Sequence, residues 1–81
     1  MIMSEQYIDV FYEYEADQPY QVFVFEHGVV TAQCEFKHPF PVALFCQVQQ
    51  MPVLSELDDI RSQLRSYDID AQPLKALALG E

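Results

Sequence analysis

The sequence predicts an α+β domain: a three-stranded antiparallel meander packed against two helices, with a short C-terminal helix or strand. Three observations carry this. Residues 6–15, 20–26 and 29–36 alternate or run apolar at strand period. The dipeptide His27-Gly28 separates the second and third of these segments, as in a two-residue hairpin turn. Leu57, Ile60, Leu64 and Tyr67 then recur at helical spacing. A chain of 81 residues supports a single domain over 1–81.

The first strand, about residues 6–15, separates its side chains by face. Ile8, Val10, Tyr12 and Tyr14 fall on one side. Tyr7, Asp9, Phe11, Glu13 and Glu15 fall on the other, so acids alternate with aromatic rings there. Turn-forming residues follow at Ala16-Asp17-Gln18-Pro19.

The second strand, 20–26, and the third, 29–36, are joined by His27-Gly28. A type I′ turn needs positive φ at both central residues, which Gly adopts freely and His tolerates. A regular ladder from that turn sets Glu26 opposite Val29, Phe25 opposite Val30 and Phe23 opposite Ala32. The larger side chains then predict the core face: Phe23, Phe25, Val30, Ala32, Cys34 and Phe36. Tyr20, Val22, Val24 and Val29 would lie on the opposite, half-apolar face. Two helices cover one sheet face well, so this second face is expected to pair with another copy as a homodimer.

Pro39 and Pro41 interrupt the chain and end the third strand. Residues 42–51 can be read as a strand or as a helix. Ala, Leu, Gln and Met in the segment, and Pro41 at its start, favour the helix. Pro52 ends it. Ser55, with acids at Glu56 and Asp58, then predicts the start of a second helix over about 55–67, with Arg61 and Arg65 toward its C-terminal end. Asp70 and Gly80 could bound a last short helix. The predicted core comprises Phe23, Phe25, Val30, Ala32, Phe36, Phe45, Leu57, Ile60 and Leu64, joined by Ile8 and Val10 if the first strand pairs beside the second.

The net charge is −9, from 13 acids against four bases. That balance disfavours nucleic acid and anionic membranes, and it favours a basic protein partner or simple solubility. No basic leader or long apolar run opens the sequence, so no signal peptide or membrane span is expected and the cytoplasm is the expected compartment. Cys34 and Cys46 have no C-x-x-C spacing and read as buried thiols.

Nothing in the sequence spells out catalysis, a cofactor or a metal site. Glu13 and Glu15 stand two apart on an open ribbon, where a solvated acidic face is the simpler reading than a carboxylate pair flanking a cleft. His27 and His38 have no partners at any recognisable catalytic spacing. The two glycines, Gly28 and Gly80, do not make a phosphate-binding loop.

The leading expectation is therefore a non-enzymatic protein-interaction or regulatory module. Its contact residues would be Tyr7, Asp9, Phe11, Glu13 and Glu15, with the aromatic rings as anchors. One alternative is a nucleic-acid mimic that inhibits a basic DNA- or RNA-binding protein. Glu5, Asp9, Glu13, Glu15 and Asp17 would supply one charge per roughly 8–10 Å of strand, against one per about 1.7 Å of duplex axis, so other acids or a second copy would have to contribute. The other alternative is a small-molecule binder with a pocket near Cys34 and His38.

Overall fold

The computed structural model describes residues 5–72. Three long strands follow in order: β1 (Gln6–Tyr12), β2 (Tyr20–Glu26) and β3 (Val29–Phe36). Helix α1 (Pro39–Gln49), a two-residue strand β4 (Val53–Leu54) and helix α2 (Asp58–Arg65) complete the described elements. The α+β class holds, but the sheet has four strands among the described residues and is mixed. Its order is β3-β2-β1-β4, with β4 parallel to β1 and the other pairs antiparallel. A two-residue strand has no period to read, which is why β4 is silent in the sequence. It is held in place by the Ile8 N–H donating to the Pro52 carbonyl at 2.9 Å.

The β2–β3 turn forms as its dipeptide requires, with His27 at φ 55° and Gly28 at φ 80°. The ladder beyond it departs from the regular register. Phe25 faces Val30 as expected, but Val24 then faces Ala32 and Phe23 faces Gln33. Thr31 is the extra residue of a β-bulge. One inserted residue moves the following side chains of β3 to the opposite face.

Both helices pack on one face of the sheet. Ile8 and Val10 of β1, and Tyr20, Val22 and Val24 of β2, form the core with Val42, Ala43 and Cys46 of α1 and Ile60 and Leu64 of α2. Ile8, Val10, Ile60 and Leu64 are buried as expected. Phe36, Phe45 and Leu57 pack against the core while partly exposed. The expected inward placement of Phe23, Phe25, Val30 and Ala32 is corrected: Phe23 and Phe25 are half-buried on the far face, and Val30 and Ala32 are exposed. Both faces of β2 are apolar, so the choice went to the set that continues the aliphatic surface of Ile8 and Val10. Each such side chain, fully buried, contributes roughly 1.5–3 kcal/mol.

Element ends also differ from the sequence reading. β1 stops at Tyr12, and the chain turns immediately: the Glu13 N–H donates to the Pro19 carbonyl at 2.8 Å. Residues 42–49 are helical rather than extended, and α1 begins three residues before 42, at Pro39. Both prolines lie in its first turn, where N–H groups have no intrahelical acceptor and Pro sacrifices nothing. Gln50 closes α1 in the left-handed region at φ 56°, its N–H bonded to the Cys46 carbonyl at 3.1 Å.

α2 is shorter than 55–67. Ser55 is fully buried before it rather than capping it, accepting from the Leu57 N–H through Oγ at 3.2 Å. Arg61 donates to the Ser55 carbonyl at 3.1 Å and ties that loop to the helix. Gln72 makes a parallel bridge to Leu54 beside β4. The expected C-terminal helix or strand falls on residues beyond 72, outside those described.

Candidate functional site

Because the helices occupy one face, the other face of the sheet presents a different chemistry. Pairing aligns Asp9 with Phe23 on one side and Leu54 on the other. Tyr7 and Phe11 flank Asp9 two residues away along β1, on the same face. Tyr7 stacks on Phe25, with ring centroids 4.9 Å apart and planes within 7°. Phe11 meets Phe23 edge-on at 5.9 Å. Such pairs contribute about 0.5–1.5 kcal/mol beyond their buried area. Four rings thus share one sheet face with a single carboxylate.

Asp9 is the unusual member of this group. It is 7% exposed, and its Oδ1 is buried with no hydrogen-bond partner among the described residues. Burial pushes its carboxyl up to about 6. The phenol of Tyr7 is also raised, first by its own burial and then by the nearby Asp9 charge. A buried carboxylate lacking a donor is costly, and its surroundings favour whatever brings a cation or an N–H to it.

Of the five contact residues read from the sequence, the fold brings together Tyr7, Asp9 and Phe11. Glu13 and Glu15 lie past the end of β1, exposed, in the segment that leads to β2. The five-acid stripe is not continuous either: Asp9 is buried, and Glu13, Glu15 and Asp17 all belong to the loop.

Phe23, Phe25 and Leu54 were missing from that reading. The first two were recoverable by matching kinds, since aliphatic side chains alternate with aromatic ones along β2 as Ile8 and Val10 alternate with Tyr7 and Phe11 along β1. Leu54 had no sequence signal, because β4 is too short to show one.

The residues expected to form a dimer face are corrected on the same ground. Tyr20, Val22 and Val24 lie in the core of the single chain, Val22 at 0% and Val24 at 3% exposure, and are not available to a partner. Of that set only Val29 is exposed.

The other titratable groups are scattered. Tyr20 donates from its hydroxyl to Asp59 Oδ2 at the start of α2, linking β2 to that helix. Its phenol is raised to about 12, chiefly by burial and then by the Asp59 hydrogen bond. Cys34 and Cys46 are free thiols, and burial pushes Cys46 up to about 12, away from reactivity. His27 lies 3.7 Å from Glu5 with both side chains exposed. Among the described residues no group of three or more His, Cys, Asp and Glu side chains is placed to hold a metal. No described helix is long and apolar enough to cross a membrane. Comparison of the chain with protein-family models, with curated proteins and with solved structures finds no match.

Proposed function

We propose that the chain is a non-enzymatic protein-interaction module whose contact surface is the aromatic sheet face around Asp9. The observation that carries this is the buried Oδ1 of Asp9, without a donor among the described residues, on a face that it shares with Tyr7, Phe11, Phe23 and Leu54. Asp9 is covered in the free chain, so a Lys or Arg side chain from a basic protein partner reaches it as the flanking rings swing aside, and then supplies what is missing. Its charge pairs with the carboxylate, and its cationic group rests against the rings. Arg suits the position best, because its planar group can stack on an aromatic face while donating to a carboxylate. Phe11, the most exposed of the four rings, is the anchor at the rim. The net charge of −9 steers such a partner toward the molecule at low ionic strength.

The test is an NMR titration of the full chain with short Arg-containing and Lys-containing peptides, with a Glu-containing peptide as control. Shifts confined to Tyr7, Asp9, Phe11, Phe23 and Phe25, absent with the Glu peptide and lost in Asp9→Asn, are expected. Equal shifts in wild type and Asp9→Asn would remove this face from consideration.

A further inference from the structure

We infer that the β3 edge together with the outer side of α1 is the surface at which two copies of this chain pair. This is independent of the aromatic face, and it replaces the Val22/Val24 face as the place where a homodimer can form.

β3 ends the described sheet on one side, so among the described residues one row of its backbone N–H and C=O groups has no strand beside it. The sheet's other end is the two-residue β4, which already carries the bridge to Gln72. β3 has eight residues and contains neither Lys nor Pro, the residues that ordinarily blunt such an edge. Its bulge is confined to the region of Thr31, leaving Ala32–Phe36 as a regular run. Val29 and Val30 are exposed near its start.

α1 is the helix beside this edge. It packs against β2, β3 and α2, with Phe45 lying 6.1 Å from Phe36 of β3. Its exposed side carries Phe40, Leu44 and Val48, spaced four apart, and Val48 is 76% exposed. Successive positions four apart form one stripe on a helix. Antiparallel pairing of two β3 strands about a two-fold axis makes one eight-stranded sheet and brings the two α1 helices alongside each other. The edge contributes backbone hydrogen bonds and the helix stripe contributes apolar burial.

Charge selects a second copy as the occupant. Twelve of the 13 acids lie before residue 27 or after residue 55. Between those limits there is one acid, Glu35, and one base, Lys37, so the β3–α1 segment is neutral within a chain of net charge −9. A basic partner has little reason to choose this surface, whereas two copies meet here with less local repulsion than at the acid-bearing parts of the chain.

Sedimentation equilibrium and light scattering on the full chain test this. A mass of twice the 9.4 kDa chain is expected. Leu44→Glu/Val48→Glu should return it to monomer with an unchanged far-UV circular dichroism spectrum, since both side chains are exposed. Amide exchange supplies a second reading: β3 N–H groups on the outer edge should be protected in wild type and exchange faster in the double variant. A wild-type monomer up to about 0.1 mM, the range of weak association, would overturn the inference. So would a dimer that survives the double variant, or one that is lost on Phe11→Ala, which would move the interface to the aromatic face.

Discussion

Asp9 and Gly28 show how single residues set measurable properties of this protein. In the folded chain the Asp9 carboxyl is raised from its ordinary 3.8 to about 6. Between those values the folded state binds more protons than the unfolded state, so stability falls as pH rises through that window. The full difference corresponds to at most about 3 kcal/mol, and solvent screening reduces it to on the order of 1–2 kcal/mol. Asp9→Asn should therefore be more stable than wild type at pH 7, with the advantage fading toward pH 4 as wild-type Asp9 protonates. Urea unfolding of both proteins across this range checks it; a constant difference between them would show that Asp9 ionisation is not responsible. Gly28 is a purely conformational case. A Cβ there meets nothing within 4 Å, so only its φ of +80° opposes a side chain. Gly28→Ala should cost about 1 kcal/mol, seen as a lower thermal midpoint without a change in the folded spectrum.

At the scale of elements, β2 decides which aromatic residues become surface. Its two faces look equally apolar in isolation, and the structure buries Tyr20, Val22 and Val24 beneath the helices while Phe23 and Phe25 line the opposite face. Substitutions on adjacent residues should therefore differ sharply. Val24→Asp places a charge among Val22, Ile8 and the helices, and should cost more than about 3 kcal/mol, enough to unfold much of a domain this small. Phe25→Ser gives up a half-buried ring and its stack on Tyr7, and should cost about 1–2 kcal/mol. Chemical denaturation of the two variants measures the contrast. If Phe25→Ser proved the more damaging, the assignment of faces would be reversed. The helices follow the same logic. Ile60 and Leu64 of α2 are completely buried, and Ile60→Ala should cost about 2–5 kcal/mol.

For the molecule as a whole, excess charge is the dominant feature outside the core. With a net charge of −9, the folded chain concentrates like charges that the unfolded chain can spread apart. Among the described residues the only close approach of a basic side chain to a carboxylate is that of His27 to Glu5, exposed and at 3.7 Å, so salt has little attraction to screen and much repulsion. Raising sodium chloride from about 10 mM to about 0.3 M, which shortens the screening length from roughly 30 Å to under 8 Å, should raise the thermal midpoint by a few degrees. A falling midpoint would mean that unrecognised favourable pairs outweigh the repulsion. The same screening should weaken any attachment of a basic peptide to the Asp9 face while leaving pairing through the neutral β3–α1 surface largely unaffected.

By itself the sequence determined what depends on neighbours along the chain. The strand character of 6–12, 20–26 and 29–36 follows from alternation or from short apolar runs bounded by turn residues. The His27-Gly28 turn follows from the positive φ it needs, and the helical character of α2 from the spacing of Ile60 and Leu64. It also placed Tyr7, Asp9 and Phe11 on one face, because alternation within a strand is local. Tertiary structure alone decided that Phe23 and Phe25 join them, that β4 lies beside β1, and that Val22 and Val24 are interior. The reason is physical. A strand apolar on both faces has no internal preference, and its orientation is settled by which side continues the aliphatic surface of its neighbour and which side two helices can cover. The bulge at Thr31 then lets β3 depart from the register set by its own turn, placing Cys34 and Phe36 opposite Val22 and Tyr20 on the helix-covered side.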